Sequence, residues 1–243
     1  MRDDLFGPLE ECAREIGDAV RAHQGRGFSG LRESQYHLDV AADEVALQIL
    51  LGHGFRVVSE ESGISGGGEL TVVIDPVDGS TNCDRGVPFY STSLAVLRDD
   101  ELIAGLVVNL ATGTAYRGEK GAGATRDGER ITPSGRTQFV GSLMSFSGYP
   151  SRALEWSQIR ALGAASLEIC LVADGSLDVF AVAQGSALHP WDYLAGLVIA
   201  RESGAGARDY RGDELVVIEP IGRRPAFAAT DELLDAVMAV GPL

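Results

Sequence analysis

Hydrophobic positions divide the chain into helix-spaced and strand-spaced stretches. Leu5, Leu9, Cys12, Ile16, Ala19 and Val20 recur at intervals close to one helical turn, which predicts a helix over residues 5–23. Pro8 is compatible with it, because the first turn of a helix tolerates proline. The glycine-containing stretch 25–30 ends the pattern. A second helix is predicted from Asp39, as its N-cap, to about His53, with Val45, Ile49 and Leu50 on the buried face. Residues 56–62 and 70–75 are β-branched runs that each end in acids, with a glycine loop, 63–68, between them. Residues 90–98 and 101–110 read as longer strands joined at Asp99–Asp100. Short strands and turns are expected over 113–128.

The second half changes character. Helices are predicted over 153–162 and 165–173, then a strand over 177–183. Residues 191–203 read as an amphipathic helix closed by Gly204. A strand over 213–220 and a helix over 231–239 follow. The pattern specifies a mixed α/β chain whose sheets are covered by helices. There is no internal repeat and no long linker. A soft boundary at 133–141 suggests two halves, 1–135 and 136–243, with one catalytic unit between them.

Composition narrows the class. A chain of 243 residues that is 45% hydrophobic and 23% charged can bury a large core. Its 20 Lys plus Arg against 35 Asp plus Glu give a net charge of −15. Such a surface repels nucleic acid and anionic membranes, and it suits a protein that gathers cations. Cys12, Cys83 and Cys170 are odd in number and far apart, so no disulfide framework is expected. The charged start lacks a signal-peptide core, and no apolar run approaches the roughly 18 residues of a membrane span. A reducing cytoplasm is the expected setting.

Acids mark the chemistry. They stand at Asp43, at Glu60–Glu61, in Asp75-Pro-Val-Asp-Gly-Ser-Thr-Asn82, and at Asp192 after Trp191. Asp75 and Asp78 place two carboxylates in one small volume, which is costly unless a cation joins them. An all-oxygen ligand set selects Mg²⁺ or Mn²⁺ over zinc. Gly79-Ser80-Thr81 adds backbone amides and hydroxyls that hold a phosphate if a helix begins there. A purely structural reading of the same string is a strand end, a polar turn and a helix cap. Asp192 has a structural reading too, as an acid favoured by a helix dipole.

Taken together, Glu60-Glu61-Ser62, Asp75–Asn82 and Trp191-Asp192-Tyr-Leu-Ala-Gly196 resemble the inositol monophosphatase superfamily of metal-dependent, lithium-sensitive phosphatases. The resemblance runs from about residue 31 to 206. It implies a layered α-β-α-β-α sandwich of the sugar-phosphatase type and a homodimer. It implies two to three Mg²⁺ ions, with Mn²⁺ as a substitute. Glu60, Asp75 and the Val77 carbonyl would hold the first ion; Asp75, Asp78 and Asp192 the second; Glu60, through waters, a third. Ser80, paired with Asp43, would activate the attacking water. The amides of Gly79 and Ser80 would bind phosphate. Thr81, Asp78, Asp192 and the 163–165 stretch, with Ala165, would line the substrate site.

The implied reaction is direct in-line hydrolysis of a small phosphate monoester, with an inositol 1-phosphate-like polyol as the first substrate. Fructose 1,6-bisphosphate or another sugar or nucleotide phosphate is the alternative. The family's inositol phosphatases carry a Glu shortly before the Trp-Asp pair, whereas residues 180–190 here read FAVAQGSALHP, without an acid. The family also has an Asp where His37 stands. A non-catalytic partner-binding protein on the same fold is the reading from a different class. Against it, none of Glu60, Asp75, Asp78 and Asp192 is lost. Gly63–Gly67 also matches GxSxG, but it lies between two strands rather than at a strand–helix elbow.

Overall fold

The structure is a computed structural model, and it describes residues 5–23, 26–32, 35–153, 155–156 and 158–242. Gly25, at the start of the expected break between the first two helices, lies outside the described residues. The chain opens with helices α1 (Phe6–Ala22) and α2 (His37–Gly52). Strands β1 (Arg56–Ser59), β2 (Gly63–Ser65) and β3 (Leu70–Asp78) follow, then the short helix α3 (Ser80–Arg85). Next come β4 (Ser91–Arg98), β5 (Glu101–Asn109), β6 (Ala115–Glu119), β7 (Gly123–Arg126) and β8 (Glu129–Arg130). The second half holds β9 (Leu143–Ser147), β10 (Gln158–Arg160), α4 (Ala165–Ala173), β11 (Val179–Val182) and α5 (Pro190–Ser203). It ends with β12 (Gly206–Asp209), β13 (Pro225–Ala228) and α6 (Asp231–Val240).

Two sheets form. The larger runs β2-β1-β3-β4-β5-β6-β7-β8 and the smaller β10-β9-β11-β13-β12. Side chains alternate across each strand, so each sheet feeds two cores. Val72 and Ile74 of β3 pack with Leu9, Ile16 and Leu50 of α1 and α2. Val73 points the other way, into a core shared with Ile169 of α4 and Leu194 of α5. Phe180 and Phe227 enter that central core from the small sheet. Val179 and Ala226 face Leu233 and Val237 of α6. The layers are therefore α1/α2, large sheet, α4/α5, small sheet, α6: the expected α-β-α-β-α sandwich.

Several local expectations change. Among the described residues of 153–162 there is no helix; Gln158–Arg160 instead pairs in parallel with β9 as an edge strand. Residues 213–220 are irregular, and the sheet is built from the flanking β12 and β13. The expected loop 63–68 begins as β2, which pairs antiparallel with β1, so the GxSxG string is an edge strand. Helix α5 is not amphipathic. Residues Tyr193 through Ala200 are all buried, because α5 lies between the two sheets.

Candidate active site

The site forms where β3, α3, α5 and the end of β1 meet. β3 continues past Asp75 to Asp78, with a register irregularity against β4 between these two residues. Pro76 has no amide to give to the ladder, which fits an irregularity at this point. Asp75 lies in a cluster of acids with Glu60 and Asp192, and Asp78 borders that cluster closely enough to raise their pKa values.

Glu60, Asp75 and Asp192 converge, with one carboxylate oxygen from each lying within 4.8 Å of the others. Burial pushes all three pKa values up, and the neighbouring carboxylates push further. Glu60 rises to about 7, through burial first, then Glu61 and Asp78. Asp75 rises well above the ordinary range, through burial and then Glu60, Asp78 and Asp192. Asp192 rises likewise, although the His189 amide donates to its Oδ2 at 2.6 Å and opposes the shift. Asp192 is thus the third residue of α5 and closes a capping box with His189. Asp75 is buried and Glu60 and Asp192 are half-buried, and their mutually repelling oxygens suit a hard divalent cation, so these residues fit Mg²⁺.

Asp78 stands beside this group rather than in it. Its Oδ2 accepts from the Ser166 amide at 2.7 Å and the Ser166 hydroxyl at 2.6 Å, and its Oδ1 from the Ala165 amide at 3.2 Å. Burial raises its pKa to about 6, and those bonds hold it from rising further. Ala165 therefore donates its amide to Asp78. Val77 is buried; its amide donates to Asp75 Oδ1 at 3.0 Å and its carbonyl accepts the Ser80 hydroxyl at 2.8 Å.

Gly79 caps α3 with φ 89°, a left-handed backbone that a side chain would strain. A Cβ there would also lie 3.0 Å from the Gly163 carbonyl. The first amides of α3 have no intrahelical acceptor. The Thr81 hydroxyl shares a hydrogen bond with the Tyr36 hydroxyl at 3.0 Å.

The resemblance pairs Ser80 with Asp43. Asp43 does not stand opposite it: Asp43 Oδ1 accepts the Ser59 hydroxyl at 2.5 Å and the Ser62 hydroxyl at 3.2 Å. Asp39, one turn earlier, is the neighbour of Ser80. Asp39 is also the third residue of α2 rather than its cap. Tyr36 is the N-cap, and its amide donates to Asp39 Oδ2 at 2.8 Å. Burial lifts Asp39 to about 6; the nearby Ser80 hydroxyl and the Tyr36 amide pull against that rise. The Ser80 proton is committed to Val77, which leaves the buried Asp39 Oδ1 without a hydrogen-bond partner.

Two cavities flank the acids. One of about 780 Å³ is lined by Asp39, Glu60, Ser80, Arg32, His189 and Trp191. Arg32 is ion-paired with Glu61 there, and the His189 ring stacks on Trp191 at 5.2 Å. The other, about 310 Å³, is lined by Asp78, Gly163, Ala165, Glu168, Asp192 and Phe146. Glu168 is buried and accepts from the Leu162 and Gly163 amides and the Ser145 hydroxyl. It holds the 162–165 turn in place. Neither Glu168 nor Ser166 was singled out by the sequence, where both read as ordinary helix residues.

The five-layer sandwich, with clustered acids between its cavities, has the sugar-phosphatase-type architecture and a donor set that fits a hard cation. The family model of the inositol monophosphatase family matches residues 32–239. A protein of Archaeoglobus fulgidus named fructose-1,6-bisphosphatase/inositol-1-monophosphatase is 38% identical, over 86% of this chain and 79% of that one. One of the same name from Methanocaldococcus jannaschii is 33% identical, over 88% and 89%. A solved inositol monophosphatase-fructose 1,6 bisphosphatase superposes with a TM-score of 0.84 at 26% identity, covering 98% and 99%. The chain belongs to the inositol monophosphatase family, and it is a phosphatase. Among the described residues no helix is long and apolar enough to cross a membrane.

Proposed function

We propose that the chain hydrolyses a small cyclic polyol phosphate of the inositol 1-phosphate type, with two to three Mg²⁺ ions as cofactor. The observation that carries this reading is the convergence of Glu60, Asp75 and Asp192 within 4.8 Å. The Val77 carbonyl and Asp78 complete the proposed ligand set. Held by these residues, Mg²⁺ or Mn²⁺ would supply neutralisation of the phosphoryl oxygens, a more acidic water and support for the leaving alkoxide.

The protein's own groups position the reactants. Ser80 has a second acceptor in the unpartnered Oδ1 of Asp39. Turned from Val77 to Asp39, its hydroxyl becomes an acceptor for the attacking water, and Asp39 is the base behind it. In this reading Asp39 takes the role that the resemblance gives to Asp43. The Gly79 and Ser80 amides and the Thr81 hydroxyl face the phosphate. Asp78, Ala165 and Asp192 border the alcohol. Water displaces the alcohol in line, without a phosphoenzyme.

Fructose 1,6-bisphosphate is the second reading. The names of both archaeal relatives favour it, as does the acid-free stretch Phe180–Pro190. Other sugar or nucleotide phosphates follow behind it. In this reading the halves 1–135 and 136–243 form one catalytic unit, and the protein is a cytoplasmic homodimer. Three free thiols, two of them buried, support a reducing setting.

The test is phosphate release from inositol 1-phosphate, fructose 1,6-bisphosphate, a nucleoside 3′,5′-bisphosphate and histidinol phosphate, with Mg²⁺ and with EDTA. Release from inositol 1-phosphate that EDTA abolishes is the expected result. Mg²⁺-dependent release from fructose 1,6-bisphosphate alone favours the second reading. Silence on all four substrates in Mg²⁺ overturns both.

A further inference from the structure

A third cavity, about 310 Å³, lies outside the site described above. It is lined by Arg211, Arg223 and Arg224, with Asp209, Asp213 and Gln184. Three arginines at one cavity stand out in a chain of net charge −15. Their partners are few. The Arg223 Nε donates to the Glu214 carbonyl at 2.9 Å, and among the described residues none of the three side chains is ion-paired. The carboxylate that would answer them is engaged elsewhere. Asp209 is buried, and its two oxygens accept the Arg211 and Arg224 amides, each at 2.7 Å. Asp209 therefore fixes the backbones that carry two of the guanidinium groups, with its oxygens turned to amides.

We propose that this cavity binds the phosphoryl group of a small metabolite. Arginine presents planar forks of donors that match phosphate oxygens. Three arginines against two aspartates leave the walls net positive. A cavity of about 310 Å³ is at the small end of ligand sites, so the occupant is a compact molecule. The cavity is independent of the acids of the catalytic site: it takes the anion directly, without a divalent ion. Its floor includes the segment from Gln184 that leads to Leu188, whose amide and carbonyl both pair with Arg223.

The test uses inorganic phosphate as the probe, with the full chain in EDTA, so that the catalytic acids repel the anion. Thermal unfolding is followed against phosphate concentration, with sodium chloride at matched ionic strength as the reference. Three proteins are compared: wild type, Arg211→Gln/Arg224→Gln, and the charge-matched Arg98→Gln/Arg208→Gln, whose altered residues line none of these cavities. Phosphate is expected to raise the Tm of wild type and the charge-matched variant in a saturable way. The Arg211→Gln/Arg224→Gln protein is expected to need about tenfold more phosphate or greater for the same shift. Equal phosphate dependence in all three proteins overturns the proposal, as does a chloride effect equal to that of phosphate. If the paired variant does not fold, Arg224→Gln alone is measured against the same criterion.

Discussion

At the scale of single residues, the acids of the candidate site were visible but their hydrogen-bond partners were not. The pKa of Asp75 is raised by burial and by four further acids around it, Glu60, Asp78, Asp192 and Asp39. Asp75→Asn is expected to abolish phosphate release. In EDTA it is expected to raise Tm by about 2 °C or more, because it removes one of the repelling groups. An active Asp75→Asn protein would sink the metal assignment. Asp39 and Asp43 separate two accounts of the base. Asp39→Asn is expected to lower kcat about a hundredfold or more with little change in the Mg²⁺ requirement. Asp43→Asn is expected to lower kcat less than about tenfold, and to act mainly on stability through Ser59 and Ser62. Steady-state kinetics of the pair decides; the reverse order would return the role to Asp43.

At the scale of elements, α5 is the central support. It carries Asp192 in its first turn and packs against the large sheet along its length. Gly118 of β6 makes that approach close: a Cβ there would stand 2.8 Å from the Ile199 Cα. Gly118→Ala is expected to cost about 1–3 kcal/mol, because backbone must move to admit the methyl. Gly67→Ala, where a Cβ meets nothing within 4 Å, is the near-neutral comparison. Urea unfolding of the two variants measures the difference. Helix α4 supports the opposite wall. Ser166 ties its first turn to Asp78, and Glu168 ties it to the turn before it. Ser166→Ala is expected to destabilise by about 1–2 kcal/mol through loss of a charge-assisted hydrogen bond.

At the scale of the whole molecule, the buried acids link folding to pH. Glu60 moves from 4.5 to about 7 on folding, and Asp39 from 3.8 to about 6. Across those windows the folded protein holds protons that the unfolded chain has released. Stability of the metal-free protein therefore falls as pH rises from about 4.5 to about 7. Mg²⁺ should flatten or reverse that slope, because it replaces the proton as the neutralising cation. Thermal scans across this range in EDTA and in Mg²⁺ check it; parallel slopes in both would contradict the cation site.

Much of this was legible in the residues themselves. The β-branched runs before Glu60 and Asp75 gave the central strands, and the string Asp75–Asn82 gave the strand-to-helix corner. Helices 5–23, 165–173 and 231–239 follow from local periodicity, which the fold did not override. What stayed hidden depended on contacts between distant segments. Residues 158–160 lie outside any helix because β9 recruits them as an edge strand. Helix α5 hid its all-round burial, since polar Asp192 and the charged last turn imitate one wet face. Asp39 and Asp43 lie one helical turn apart on one face of α2, so spacing alone permits either to meet Ser80. The packing of α2 on β1 decides, by giving Asp43 to Ser59. Sequence by itself determined which carboxylates the chain possesses and which strands end in them. Only the tertiary structure decided which of them converge, because that depends on where separate elements bring their ends within a few ångströms.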